Sequence, residues 1–207
     1  MNITLINSPA DPDRLCGTAA AICTNASRPD SALRGALTSG HESVAEHACF
    51  TFCIQGVSRV LLAQLTRHRL ASYSVQSQRY CGVKPTWVVP ETVREAGFEQ
   101  AYMQGCNDCF NIYRAMISKG VPEEDARYVI PQGVTCDLVF TANARELRHF
   151  FALRMCNRAQ REIRELADHM HEICVKTAPA LFRNSGCGCM TTRGCPERKP
   201  CGHPRKE

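Results

Sequence analysis

The sequence lacks any long hydrophobic run. No window approaches the uninterrupted apolar span of about 18 residues that a membrane-crossing helix requires. Its first residues, MNITLINSPADPDR, also lack the basic segment and apolar core of a secretory signal peptide. Because no such signal is present, the fourteen cysteines are predicted to be reduced thiols. We therefore expect a soluble cytoplasmic protein.

Aromatic residues are also scarce, and the glycine-rich dinucleotide motif is missing. The 207 residues include one Trp, five Tyr and eight Phe. No Gly-x-Gly-x-x-Gly follows a strand pattern, so a Rossmann mode of dinucleotide binding is not indicated. The hydrophobic fraction of 44 % is sufficient for a sizeable core. The formal charge of +5 suits anionic small molecules as well as nucleic acid.

Alternating helix and strand patterns run through most of the chain. Strands are predicted at residues 2–7, 47–55 and 134–141. Capping and stop signals predict helices at about 12–24, 30–39, from 58 onward, 91–119 and after 122, and one helix or a broken pair over 143–177. From residue 184 the chain is rich in Gly, Pro and Cys and is basic. We therefore predict a domain over residues 1–183 and a tail over 184–207.

Hydrogen-bond donors are concentrated in residues 67–80, RHRLASYSVQSQRY. In an extended segment Ser77 and Arg79 would share a face, as a hydroxyl and a guanidinium suited to a phosphate. Arg67, His68 and Arg69 cannot all point in one direction, so they are predicted to serve more than one anionic group. The alternative is a solvated basic patch or a nucleic-acid contact strip, although only Tyr73 and Tyr80 could stack on bases.

A second arginine-rich segment spans residues 143–163. On a helix, Arg154 falls within an apolar stripe, and Arg158 would join it if the helix persists. The stripe consists of Leu147, Phe150, Phe151 and Met155. A buried guanidinium without a partner costs several kcal/mol. Either an internal carboxylate or a bound anion is therefore expected beside Arg154.

Two segments resemble metal sites without matching one. In SGHESVAEH (residues 39–47) a zincin pattern would need His where Ala45 stands, and His41 and His47 lie about 240° apart on a helix. The tail spacing C-x-C-x5-C-x5-C-x-H, from Cys187 to His203, is not a standard zinc pattern. We predict no metal, and a disordered, redox-sensitive tail is favoured over a zinc-stabilised structural protein. Cys106 and Cys109 are assigned to helix packing.

The residues Arg67, His68, Arg69, Ser72, Ser77 and Arg79 complete the signature RHR-x2-S-x4-S-x-R. Through this signature the chain resembles the flavin-dependent thymidylate synthase family over residues 1 to about 183. The resemblance implies an α+β fold with helices around a central mixed or antiparallel sheet. It also implies a homotetramer with shared active sites and a non-Rossmann FAD site.

The resemblance further implies a reaction, the reductive methylation of dUMP to dTMP. In the family 5,10-methylenetetrahydrofolate donates the carbon, and FAD reduced by NADPH donates the hydride. No enzyme nucleophile is required, and the sequence has no Pro-Cys-His-type nucleophile segment. The alternative of a nucleic-acid-binding module predicts steep salt dependence and no flavin.

Site residues follow from matching motifs. The residues implied to bind FAD are Ser43, Arg67, His68, Arg69, Val75, Asn143, Arg145 and His149. His41 and Glu46 are further candidates, and Glu46 could instead brace the fold. The residues implied to bind dUMP are Gln64, Arg67, Gln76, Ser77, Gln78, Arg79, Arg127 and Arg154. Arg154 is the implied catalytic residue, which promotes ionisation of the uracil N3. Val75 stands where many members carry Glu or Gln, so only its backbone could make the contact.

Overall fold

The computed structural model describes residues 1–191 and 194–205. Its strands are β1 (Asn2–Asn7), β2 (Cys49–Ser58), β3 (Ala71–Val75) and β4 (Thr135–Asn143). They form one antiparallel sheet in the order β1-β2-β4-β3. This arrangement confirms the α+β fold with an antiparallel sheet.

The helices account for about half of the chain. They are α1 (Pro12–Thr24), α2 (Pro29–Thr38), α3 (Arg59–Leu65), α4 (Glu91–Glu95), α5 (Glu99–Ser118), α6 (Glu123–Ala126), α7 (Ala144–Arg154), α8 (Arg161–Thr177) and α9 (Pro179–Phe182). Short 3-10 helices lie at Glu42–His47, Arg127–Val129 and Gly188–Met190. Within the described residues, no helix is both long enough and apolar enough to cross a membrane.

By its internal packing the chain divides into two compact units, each built from several segments. The first comprises Met1–Asn2, Ile54–Arg67 and Ser74–Leu138. The second comprises Ile3–Cys53, His68–Tyr73 and Val139–Glu207. The residues predicted to bind FAD or dUMP are therefore divided between the two units.

In the first unit, local signals set where the helices begin and end. Ser58 caps α3, because its side chain accepts a hydrogen bond from the backbone N–H of Leu61 at 3.0 Å. Gly97 has φ +75° and separates α4 from α5, so the single helix predicted over residues 91–119 is divided there. Gly133 approaches α5 so closely that a Cβ atom would overlap the hydroxyl of Tyr102.

The second unit is built around phenylalanine side chains. Phe50 and Phe151 each meet Phe182 edge-on, with ring centroids 5.4 and 5.9 Å apart. The apolar stripe predicted on α7 is confirmed, since Leu147, Phe150, Phe151 and Met155 are all buried. Burying a side chain of this size stabilises the fold by about 1.5–3 kcal/mol. This core fixes the face of α7 that carries Arg154.

Of the two alternatives predicted for residues 143–177, the structure has the broken pair, because α7 ends at Arg154 and α8 begins at Arg161. Arg158 therefore leaves the apolar stripe. Its exposed side chain pairs with Glu197 at 3.3 Å.

The described part of residues 184–205 belongs to the second unit and packs against the rest of it. Ser185 and Cys187 are buried, so the prediction that this segment lies outside the core is wrong for these two residues. Arg205 donates to the carbonyl of Met155 at 2.8 Å and to both carboxylate oxygens of Asp168 at 2.7 and 3.0 Å. These contacts also contradict a disordered tail. Burial raises the pKa of the Cys187 thiol, which makes it a poor nucleophile.

Candidate functional site

Three polar side chains form a hydrogen-bonded chain inside the second unit. His68 lies between α3 and β3, Glu146 lies in the first turn of α7, and Arg154 is the last residue of that helix. The Nδ1 atom of His68 is 3.0 Å from Oε1 of Glu146, and its Nε2 atom is 3.1 Å from Nε of Arg154. His68 and Glu146 are only 4 % and 6 % exposed. One partner of Arg154 is thus a buried imidazole, which neither expectation, an internal carboxylate or a bound anion, had named.

The hydrogen-bonding roles of Arg154 and Glu146 show which nitrogen of His68 carries the proton. A guanidinium only donates hydrogen bonds, so Nε2 of His68 accepts from Arg154. Nδ1 then carries the proton and donates to Glu146. Burial lowers the pKa of His68, and the charge of Arg154 lowers it further against the raising effect of Glu146. The imidazole is therefore neutral at neutral pH.

Tyr73 closes this cluster from β3. Its hydroxyl donates to the backbone carbonyl of His68 at 2.7 Å. Burial, with a smaller contribution from the charge of Glu146, raises the pKa of Tyr73 to about 12. The hydroxyl therefore keeps its proton and fixes the backbone of His68.

Several residues implied to bind FAD lie on or beside the first turns of α7. His149 is exposed, and its ring centroid lies 5.8 Å from that of His68. Asn143 caps the helix by accepting from the backbone N–H of Glu146 at 2.9 Å. The exposed side chain of Arg145 forms an ion pair with Glu46, which agrees with the bracing alternative for that glutamate. Arg69 is exposed to solvent.

Ser43 belongs to the 3-10 helix Glu42–His47, which is joined to α7 by ion pairs. Glu46 pairs with Arg145, and Glu42 lies 3.3 Å from the buried guanidinium of Arg148. The Ser43 side chain is exposed. His41 and His47 lie at the two ends of this helix and are exposed as well.

In the first unit, a cavity of about 210 Å³ collects part of the set implied to bind dUMP. Gln76, Ser77 and Gln78 line it together with Arg59, whose guanidinium donates to the carbonyl of Gln76 at 2.8 Å. Sequence reasoning missed Arg59. A cation at the first position of a helix opposes the helix dipole, and that misfit was the available signal.

The proposed pairing of Ser77 and Arg79 on one extended face is wrong. The extended conformation ends at Val75, so the alternation of faces does not reach these residues. The hydroxyl of Ser77 instead accepts from the backbone N–H of Arg79 at 3.0 Å. The Arg79 guanidinium pairs with Glu124 at 2.9 Å.

Glu124 also links Arg79 to Arg127. The Nε atom of Arg127 donates to the backbone carbonyl of Glu124 at 3.1 Å. The structure therefore brings Arg79 and Arg127 to the same carboxylate-bearing residue, 45 positions after Arg79.

Three further predicted residues lie at the ends of α3 and β3. Gln64 lies in the last turn of α3, and Arg67 follows the helix. The backbone N–H of Arg67 donates to the Gln64 carbonyl at 3.3 Å. Val75 is the half-buried last residue of β3. The ligand roles of these residues stay predictions.

Across residues 1–191 and 194–205 no group of three or more His, Cys, Asp or Glu side chains is arranged to hold a metal ion. All fourteen cysteines lie in these ranges and are free thiols. Cys106 is buried on α5, and burial raises the pKa of its thiol. These features fit the packing role assigned to Cys106.

Comparison with known proteins identifies the relatives of the chain. A family model described as thymidylate synthase complementing protein matches residues 4–180. The flavin-dependent thymidylate synthase of Geobacter sulfurreducens is 44 % identical over 217 aligned positions, covering 95 % of this chain and 91 % of that protein. The enzyme of the same name from Pyrococcus abyssi is 42 % identical, covering 77 % of this chain and 70 % of that protein.

The fold has a solved counterpart. The crystal structure of the UMP/dUMP methylase PolB from Streptomyces cacaoi, bound with 5-Br dUMP, superimposes with a TM-score of 0.79. The match covers 88 % of this chain and 93 % of PolB at 24 % sequence identity. At that identity the likeness establishes a shared fold.

Proposed function

The chain belongs to the flavin-dependent thymidylate synthase family, and from this premise we propose that it converts dUMP to dTMP by reductive methylation. The observation that carries the proposal is the 44 % identity to a family member across 95 % of the chain. Within the aligned region, the complete RHR-x2-S-x4-S-x-R signature at residues 67–79 also supports it.

The donor chemistry of the chain fits FAD. Arg67 and Arg69 present exposed guanidinium groups, and such groups bind pyrophosphate oxygens with paired hydrogen bonds. The exposed imidazole of His149 and the hydroxyl of Ser43 add donors of the kind a flavin or ribose accepts. When bound and reduced, FAD supplies the hydride. The co-substrates in this proposal are 5,10-methylenetetrahydrofolate as carbon donor and NADPH as reductant.

For dUMP, residues of the first unit supply groups that can bind its phosphate. Arg79 and Arg127 share Glu124, and Ser77 stands two residues before Arg79. A nucleotide phosphate would compete with the Glu124 carboxylate for the Arg79 guanidinium, which is 52 % exposed. Such an exchange replaces one anion by another and costs little in a solvated pair.

In the second unit, Arg154 supplies a permanent positive charge. Its guanidinium donates to the neutral imidazole of His68 and remains charged at any physiological pH. A fixed cation near a pyrimidine ring stabilises the anion formed when N3 loses its proton. We assign this role to Arg154.

The proposal includes a homotetramer in the cytoplasm. Fourteen free thiols fit a reducing compartment, where disulfides do not persist. Size-exclusion chromatography with light scattering tests the assembly directly, and a monomer at working concentration would contradict the tetramer.

The function is tested by Arg154→Ala. We expect the purified wild-type protein to carry the yellow absorbance of oxidised flavin and to form dTMP from dUMP, 5,10-methylenetetrahydrofolate and NADPH. The variant should retain the flavin but lose dTMP formation by about 100-fold or more, because no charge remains to stabilise the N3 anion. Product formation is measured by chromatography and flavin content by absorbance.

Arg158→Ala is the matched control, since its exposed guanidinium lies on the turn after the same helix and pairs with Glu197. That variant should keep wild-type turnover. Undiminished dTMP formation by Arg154→Ala would refute the assigned role, and a wild-type protein without flavin would refute the function.

A further inference from the structure

Glu146 is a buried carboxylate for which the family motifs give no role. It is 6 % exposed, and its Oε1 lies 3.0 Å from Nδ1 of His68. Taking a carboxylate out of water costs several kcal/mol unless its partners compensate. A buried charge at Glu146 is thus destabilising unless it is compensated. Its imidazole partner, His68, is the residue that contacts Arg154.

The position of the His68 proton decides whether His68 can accept a hydrogen bond from Arg154. Nε2 of His68 can accept from Arg154 only while the proton is on Nδ1. With the proton on Nε2, two N–H donors would face each other and this hydrogen bond to Arg154 would be lost. A carboxylate at Nδ1 enforces the first arrangement, because it accepts hydrogen bonds and cannot donate them.

We propose that Glu146 is a positioning residue that fixes His68 in its Nδ1–H tautomer and thereby aims the Arg154 guanidinium. The inference rests on the proposed function only for what Arg154 does once it is aimed. Glu146 itself acts through His68 and need not touch substrate.

The surroundings of His68 make this chain sensitive to acid. The charged and titratable groups that face it are Glu146, Arg154 and His149 from α7 and Tyr73 from β3. Protonation of His68 would turn Nε2 into a donor and break its hydrogen bond with Arg154. Activity should therefore fall as the pH drops through the His68 pKa, which lies below its ordinary value. Without Glu146, which raises that pKa, the acid limb moves to still lower pH.

A purely structural Glu146 would behave differently. If the carboxylate only braced α7, its replacement would lower stability while leaving the His68 tautomer and the kcat unchanged. The tautomer and the kcat are thus the readouts that separate positioning from bracing.

The experiment uses full-length protein labelled with 15N-histidine, observed by solid-state NMR near neutral pH with His68→Gln as the assignment reference. In wild type we expect protonated Nδ1 and unprotonated Nε2 at His68. In Glu146→Gln we expect a fraction of the ring to carry its proton on Nε2, because an amide can donate to Nδ1 as well as accept from it. The kcat for dTMP should fall about 10- to 100-fold, the scale of a small misplacement of a catalytic group.

Glu95→Gln is the matched control, an exposed glutamate in α4 with the same substitution. It should leave the His68 spectrum and kcat at wild-type values. A wild-type His68 protonated on Nε2, or on both nitrogens, would overturn the proposal even if the Gln variant failed to fold. So would a folded Glu146→Gln with an unchanged tautomer and unchanged kcat.

Failure of the proposed function can be distinguished from failure of the proposal for Glu146. A wild-type protein without flavin or dTMP formation would remove the enzyme assignment, while the labelled-histidine spectra would still decide what Glu146 does to His68.

Discussion

At the scale of single residues, several of the arginines implied to bind ligands are already engaged with the chain's own acceptors. Arg79 pairs with Glu124, Arg145 with Glu46, and Arg154 with His68. The first two pairs are about half exposed, and such pairs contribute roughly 0–1 kcal/mol. An incoming anion can therefore displace either carboxylate at small cost. The contact of Arg154 is more buried and is expected to persist.

The Arg79 pair leads to a kinetic prediction. Glu124→Gln removes the competing carboxylate, so dUMP should bind without displacing it. We expect the KM for dUMP to fall about two- to fivefold with kcat unchanged, matching the small energy of an exposed ion pair. Steady-state kinetics at low ionic strength measure the effect, and high salt should reduce it.

Glu95→Gln is the control for this prediction, because this exposed carboxylate on α4 is not among the residues that line the cavity beside Ser77. An increase in KM on replacing Glu124 would show instead that this carboxylate helps to organise the phosphate site.

The residue scale also shows what sequence reasoning could not reach. Glu146 was missed because its partner, His68, is 78 residues away in the sequence. Periodicity identified Arg154 as an arginine in an apolar stripe that needed a partner, but it could not say which partner. Only the folding of α7 beside the segment before β3 brings the imidazole to it.

At the scale of elements, α3 depends on the cap at its start. Ser58 is buried and accepts from the N–H of Leu61. Ser58→Ala should lower stability by about 1 to 2 kcal/mol, because the helix loses its cap and a buried N–H loses an acceptor. A lower midpoint in thermal unfolding, followed by circular dichroism, measures the change.

Ser118→Ala provides the comparison, since that exposed hydroxyl only bonds back to Ala115 within α5. It should shift the midpoint little. Equal shifts of the midpoint for both substitutions would show that the Ser58 cap does not stabilise the fold more than an ordinary exposed serine.

Most elements could be predicted because their signals are local. Asp11 and Ser58 cap the helices that follow them. The break between α4 and α5 at Gly97 was not predicted, since one helix was expected over residues 91–119. The strand β3 was not predicted as an element, because its five residues are mostly small or polar and only half buried. Its pairing with β4 supplies the stability that its composition does not.

At the scale of the whole molecule, two histidines, the buried His68 and the half-buried His171, couple stability to pH. Burial lowers the pKa of both His68 and His171 below the ordinary value of about 6.5. The unfolded chain therefore binds protons that the folded chain excludes. The stabilisation that these two histidines contribute is fully present above about pH 6.5. It is lost as the pH falls through their pKa values in the folded protein.

We expect the thermal midpoint to fall on acidification from about pH 7.5 to about pH 5.5. His171→Gln should make this dependence shallower, since an amide can still donate to Ser185 and the Phe182 carbonyl without titrating. His169→Gln, at an exposed neighbour on α8, should leave the slope at its wild-type value. An identical slope in His171→Gln would refute the contribution of this histidine.

The contacts of Arg205 have a consequence for chimeric proteins. The family match ends at residue 180, yet Arg205 tethers the carbonyl of Met155, directly after Arg154, to Asp168 on α8. A graft that joins residues 1–180 of this chain to another member's ending would leave that carbonyl and that carboxylate to water. The donor sequence would then have to bring its own cation to the same spot to hold the end of α7.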